Sequence, residues 1–116
     1  MDREAERLRG RGSEERSQSM LAEVRGATAE RLRILGKEKA IALVEALATE
    51  GEASVQELAD RLGVSHQNAS HHLSLLRQAG VVRRRTEGPT SIYALEDWAA
   101  WWVIRQLAEL AAEDGA

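Results

Sequence analysis

The sequence predicts a mainly α-helical fold of five helices with one small β-hairpin, and three observations carry that prediction. Apolar residues recur at helical spacing along most of the chain, two short helical segments meet at a glycine turn, and the stretch after Gly80 switches to the alternating period of strands. The residue mix agrees. Three Trp, one Tyr and no Phe leave the core to Leu, Val, Ile and Ala, the usual filling between packed helices.

Residues 1–18 mix charges, with Gly10 and Gly12 and few apolar side chains, and read as a mobile charged arm ahead of one domain over 19–116. Arg3, Arg7, Arg9, Arg11 and Arg16 are matched there by as many acids, so a solvated tail is expected. A first helix follows over about Met20 to Leu35, with Met20, Leu21, Val24, Ala27, Leu32 and Leu35 at helical spacing until Gly36 breaks it. A second covers about Lys37 to Glu50, with Ala40, Ile41, Val44, Leu47 and Ala48 on one face and Gly51 as its cap.

Ser54-Val55-Gln56-Glu57 is a capping box: the serine oxygen can accept from the Glu57 N–H while Glu57 reaches back to the Ser54 N–H. It opens a short helix with Val55, Leu58, Ala59 and Leu62 on one face, ended by Gly63. Ser65 is a good N-cap for the next helix, to Ala79 with Gly80 beyond it. Two short helices joined through a glycine turn make a helix-turn-helix. Val81–Thr86 and Ser91–Leu95 then flank Glu87-Gly88-Pro89-Thr90 as a hairpin, and a basic hairpin directly behind such a helix is a wing.

The last helix, about Asp97 to Ala112, is apolar almost all round, and a chain this small cannot cover it alone. The expected cover is the same helix of a second subunit together with the first helix, a homodimer with Leu21, Val24, Trp98, Trp101, Trp102 and Leu107 at its interface.

Net charge is −3, but its distribution matters more than its total. From Arg61 to Leu95 the five arginines Arg61, Arg77, Arg83, Arg84 and Arg85 meet one acid, Glu87, a balance of +4. From Glu96 onward Arg105 alone faces five acids, a balance of −4. The basic half also holds all three histidines. On a helical wheel Ala69, Leu73, Leu76 and Gly80 face the scaffold, while Gln67, Asn68, His71, Ser74 and Gln78 lie opposite. Those side chains hydrogen-bond base edges without repelling phosphate, so the helix suits the major groove of double-stranded DNA. Ser65, His66, Gln67, Asn68, Ser70, His71 and Ser74 are the candidate DNA contacts on the helix, with His66, Gln67 and Ser70 leading. In the wing, alternation sends Arg84 to one face and Arg83 and Arg85 to the other; Arg83 and Arg85 are the first choice for phosphate, supported by Arg84. Leu75 falls away from the scaffold and is left either to pack under the wing or to meet a thymine methyl.

The absence of cysteine removes disulfides, thiolate ligands and thiol redox chemistry. The sequence has no apolar run near the roughly 20 residues of a membrane span and no signal-peptide core at its start, so a cytoplasmic protein without membrane contact is expected. Catalysis finds no support: the histidines all sit on the DNA-facing helix, and no phosphate loop or metalloprotease motif occurs.

The run Glu57-Leu58-Ala59-Asp60-Arg61-Leu62-Gly63-Val64-Ser65, followed by Ala69-Ser70-His71-His72-Leu73-Ser74-Leu75-Leu76-Arg77-Gln78-Ala79-Gly80-Val81-Val82, resembles the ArsR/SmtB family of bacterial repressors. The resemblance extends over about residues 20 to 112 and implies a winged helix-turn-helix homodimer, joined through its first and last helices, that binds a palindromic operator. It also places His66, Gln67, Ser70 and His71 at the family's usual DNA-contacting positions. The family's metal sites do not carry over. The helix before the recognition helix has no cysteine, and the last helix has Asp97, Glu109 and Glu113 but no histidine. His66 and His71 stand roughly 140° apart on a helix, too far to share an ion. No cofactor is therefore assigned, and only weak binding of nickel, zinc or cobalt, by histidine with Asp97 or Glu109 across a dimer, is left open. The signal then comes from that weak site, from an unidentified effector, or from a regulatory protein partner. A winged helix that docks a protein instead of DNA is the reading from another class; the basic wing and acid-poor helix favour DNA.

Overall fold

A computed structural model describes residues 22–115. The chain divides into two compact units, Met1–Arg31 and Leu32–Ala116. The backbone is helical over 22–35 (α1), of which 22–31 belong to the first unit. In that unit Thr28 Oγ1 donates to the Val24 carbonyl at 2.9 Å, and Val24 is exposed. The arm over residues 1–18 and the interface candidate Leu21 lie outside the described residues.

The second unit runs α2 (Glu38–Glu50), β1 (Glu52–Ser54), α3 (Val55–Leu62), α4 (His66–Gln78), β2 (Val82–Glu87), β3 (Thr90–Leu95) and α5 (Trp98–Gly115). Each expected helix is present. The sheet has three antiparallel strands in the order β1-β3-β2, one more than expected. The added strand, Glu52–Ser54, pairs with β3 in the register Glu52↔Ala94 and Ser54↔Ile92. Three residues between a helix cap and a capping box are too short for any period to show, and pairing with β3 is what makes them a strand.

Local chemistry sets the helix ends. The capping box forms: Glu57 N–H donates to Ser54 Oγ at 3.1 Å, and Ser54 N–H donates to Glu57 Oε1 at 3.1 Å. At the other end of α3, Val64 N–H reaches the Ala59 carbonyl and Gly63 N–H the Asp60 carbonyl. The end of α4 repeats this pattern, Val81 N–H to Leu76 and Gly80 N–H to Arg77. Both are Schellman closures, which need a left-handed residue, and Gly63 (φ 68°) and Gly80 (φ 77°) provide it. β2 and β3 join through the two-residue turn Gly88–Pro89, inside the Glu87↔Thr90 pair.

The core lies where α2, α3 and α4 meet the inner face of the sheet. Leu43, Val44 and Leu47 of α2, Leu58 and Ala59 of α3, and Leu73 and Leu76 of α4 are buried, along with Val81, Tyr93 and Leu95. Each such leucine contributes roughly 1.5–3 kcal/mol by leaving water. α5 adds only Ala100 and Ile104 as buried residues, while Trp98, Trp102, Leu107 and Leu110 stay exposed. No helix among the described residues is long and apolar enough to cross a membrane.

Candidate nucleic-acid interface

Helix α4 is fixed from beneath and bare above. Ala69, Leu73 and Leu76 are 0–1% exposed, and Ser65 Oγ accepts from the Asn68 N–H at 3.0 Å to cap the first turn. This anchorage presents Ser65, His66, Gln67, His71 and Gln78 to solvent, with Ser70 and Ser74 half-buried beside them. Gln78 Nε2 donates to Ser74 Oγ at 3.3 Å, so these two already form one polar patch.

Asn68, Leu75 and His72 lie half-buried along one flank of the helix. Asn68 is half-buried, and its Oδ1 is out of solvent with no partner among the described residues. It turns along the flank of the helix, one position off the row of Gln67, His71 and Ser74, and so leaves the outward face. Leu75 packs against the core from that flank, which removes it as a thymine contact. His72 Nδ1 lies 3.0 Å from the Asn68 carbonyl. A carbonyl only accepts, so in this geometry Nδ1 carries the proton. The His72 ring also meets His71 edge-on, with centroids 5.4 Å apart.

The wing arginines divide by face, as alternation predicts, and the two faces differ in their partners. Arg84 stands opposite Tyr93 in the ladder and shares its inner face. There a polar cleft of ≈ 260 Å³ is lined by His66 and Ser70 of α4 and by Arg84, Thr90, Ser91 and Tyr93 of the sheet. Arg83 and Arg85 lie on the outer face and are held by acids: Arg83 pairs with Glu96 at 2.9 Å, and Arg85 with Glu52 at 2.8 Å and Glu87 at 3.0 Å. Arg61 pairs with Glu50. The excess of +4 counted along the sequence is thus partly neutralised in space, because Glu50, Glu52 and Glu96 fold against it from outside that window. Among the described residues Arg84 and Arg77 have no such partner. Arg85 holds the Glu52 carboxyl below the usual carboxylate range, first by hydrogen bonding and then by charge, and its own pKa rises in return. The capping contacts with Ser54 lower Glu57 likewise. Glu50, Glu96 and Glu52 escaped the sequence reading because they lie 11, 13 and 33 residues from the arginines they meet.

Asp97 Oδ1 accepts from the Ala99 and Ala100 N–H groups at 3.0 and 3.3 Å, so this carboxylate caps α5. No group of three or more His, Asp or Glu side chains placed to hold a metal ion occurs among the described residues. Trp101, expected at a subunit interface, is half-buried against the chain's own core, whereas Trp98 and Trp102 are 56% and 62% exposed.

A helix-turn-helix domain family matches residues 27–85. Among the relatives, the transcriptional repressor SmtB of Mycobacterium tuberculosis is 35% identical over 92 residues, 79% of this chain and 67% of that one. The chain belongs to the ArsR/SmtB family of winged helix-turn-helix regulators. A helix-turn-helix-type transcriptional regulator of Methanocaldococcus jannaschii is 30% identical over 82 residues, covering 71% of this chain and 92% of its own. Among solved structures, the homodimeric winged helix-turn-helix DNA-binding domain of a possible ArsR-family regulator from Mycobacterium bovis superposes with TM-score 0.69 at 24% identity, over 80% of this chain and 85% of that one. As an ArsR/SmtB-family member the chain is a DNA-binding transcriptional regulator, and the family is one of regulators rather than enzymes.

Proposed function

We propose that this regulator is a repressor that acts in the cytoplasm as a homodimer, placing two α4 helices in successive major grooves of a palindromic duplex about 34–36 Å apart. The observation that carries the reading is the exposed row Gln67, His71 and Gln78, bordered by a polar cleft with Arg84, which has no acid partner among the described residues. Gln67 and His71 read base edges; Arg84, Thr90 and Ser91 hold a phosphate beside them. Repression is supported by the repressor named among the relatives. Dimerisation is supported by the exposed apolar side chains around α5: Trp98, Trp102, Leu107 and Leu110 are all more than half exposed. A regulatory protein is the other occupant those side chains fit, and sedimentation of the purified chain separates the two.

The test is fluorescence anisotropy of the protein on DNA from upstream of its own gene and on a shuffled duplex, across salt. Tight binding that prefers the upstream duplex and weakens steeply with salt is expected. Equal affinity for the two duplexes would overturn operator recognition at that site.

A further inference from the structure

A helix lying in the major groove has a sugar-phosphate strand on each side, because the groove is only about 12 Å wide. The wing accounts for one side. It meets α4 along the flank of His66 and Ser70, where Arg84, Thr90 and Ser91 complete the polar cleft. The other flank carries His72, which is roughly 160° around the helix from Ser70. A second cleft, of ≈ 390 Å³, opens there between the start of α2 and the turn joining α3 to α4, lined by Lys37, Glu38, Lys39, Leu62, Val64 and His72. Lys37 and Lys39 are exposed, and among the described residues neither makes an ion pair. The wing's outer arginines are tied to acids, so these two lysines are among the few cations beside α4 still available to a phosphate.

We propose that Lys37 and Lys39 form a second clamp on the DNA backbone, gripping the strand on the side of α4 away from the wing. The inference rests on the DNA-binding reading above and adds residues that pattern analysis passed over as the start of a scaffold helix. The cleft is complementary to a phosphate in charge: two lysines outweigh the single Glu38 between them. Held from both sides, the recognition helix is fixed in depth and tilt, and Gln67 and His71 face the same base edges at each encounter. The clamp itself carries no sequence information, since phosphates are alike at every base pair.

The experiment uses the full chain and fluorescein-labelled 30-base-pair duplexes, one of its own upstream sequence and one shuffled, titrated across salt. The Lys37→Ala/Lys39→Ala variant should bind both about 10-fold more weakly near 0.15 M salt and lower the slope of log affinity against log salt by about 2. Glu38→Gln should move affinity the other way on both duplexes, which keeps the test sound if the double variant is poorly folded. An unchanged slope in the double variant, with Arg84→Ala still lowering it, would overturn the clamp and leave the wing contact standing. A loss confined to the upstream duplex would also overturn it, because a backbone contact acts on all sequences. If the unaltered protein binds neither duplex, the DNA-binding reading fails and the clamp falls with it.

Discussion

Arg85 donates to Glu52 at 2.8 Å, tying the wing to the short strand that precedes α3. The tie holds one arginine on the outer face of the sheet, while its neighbour Arg84 occupies the inner face with Tyr93 and the N-terminal turn of α4. An arginine already neutralised by two carboxylates releases few counterions when DNA arrives; an unpaired one releases its full share. Arg84→Ala is therefore expected to weaken binding to every duplex and to lower the salt slope by about 1. Arg85→Ala should leave the slope nearly unchanged. Salt titrations of both variants by anisotropy check this, and a larger slope change in Arg85→Ala would restore the outer face as the phosphate contact.

The same pair gives the fold a dependence on acid. The carboxyls of Glu52 and Glu57 are both lowered in the folded chain, by Arg85 and by the Ser54 cap respectively. A carboxyl whose pKa falls on folding contributes stability above its unfolded value and loses it as pH drops through the folded one. Resistance to urea should accordingly decline below the usual glutamate value of about 4.3. Glu52→Gln and Glu57→Gln should each flatten that decline while lowering stability at neutral pH. A pH profile identical to the parent's in both variants would show that other groups control acid unfolding.

The helix-turn-helix corner offers a cleaner mutation. Gly63 sits at φ 68°, and a Cβ added there would meet no atom within 4 Å. Gly63→Ala thus changes backbone strain and little else, and should destabilise the fold by about 1 kcal/mol. Gly63→Asn should cost less, because asparagine tolerates the left-handed region. Equal losses in chemical denaturation would mean that the side chains meet something other than open solvent.

Much of this architecture is legible without coordinates, because the signals are local. The Ser54/Glu57 box, the Ser65 cap and the glycines at 63 and 80 each lie within a few residues of the bonds they determine, and Ala69, Leu73 and Leu76 reveal the buried side of α4 through spacing alone. What stays hidden is set by contacts between distant segments. β1 exists only because β3 pairs with it, and the neutralisation of Arg83 and Arg85 needs Glu96 and Glu52 brought in by the fold. The half-burial of Asn68 is hidden for a subtler reason. At 100° per residue it lies on the border between the outward row and the flank, and packing decides which side wins.

α5 shows the same limit at the level of assembly. Its all-round apolar character predicts cover from a second subunit, yet spacing does not say which tryptophan faces inward. Trp101 packs on the chain's own core, and Trp102, 62% exposed, faces out. Trp102→Glu is expected to shift the protein from dimer to monomer in sedimentation while its thermal unfolding stays cooperative. Trp101→Glu should instead lower the unfolding midpoint, because it places a charge against packed apolar side chains. A Trp102→Glu protein that sediments like its parent would place the subunit contact elsewhere.

Base recognition is the sharpest claim, and it concerns the outward row of α4. Gln67 and His71 are exposed, differ by one helical turn and carry no negative charge, so both can approach base edges in one groove. Gln67→Ala and His71→Ala should each reduce discrimination between the upstream and shuffled duplexes by about 1–3 kcal/mol, with the salt slope unaltered. Asn68→Ala is the internal control. Its side-chain oxygen Oδ1 is buried on the flank, so discrimination should persist while stability shifts. If Asn68→Ala alone erased the preference, the helix would have to turn on its axis when it enters the groove, and the flank would become the reading face.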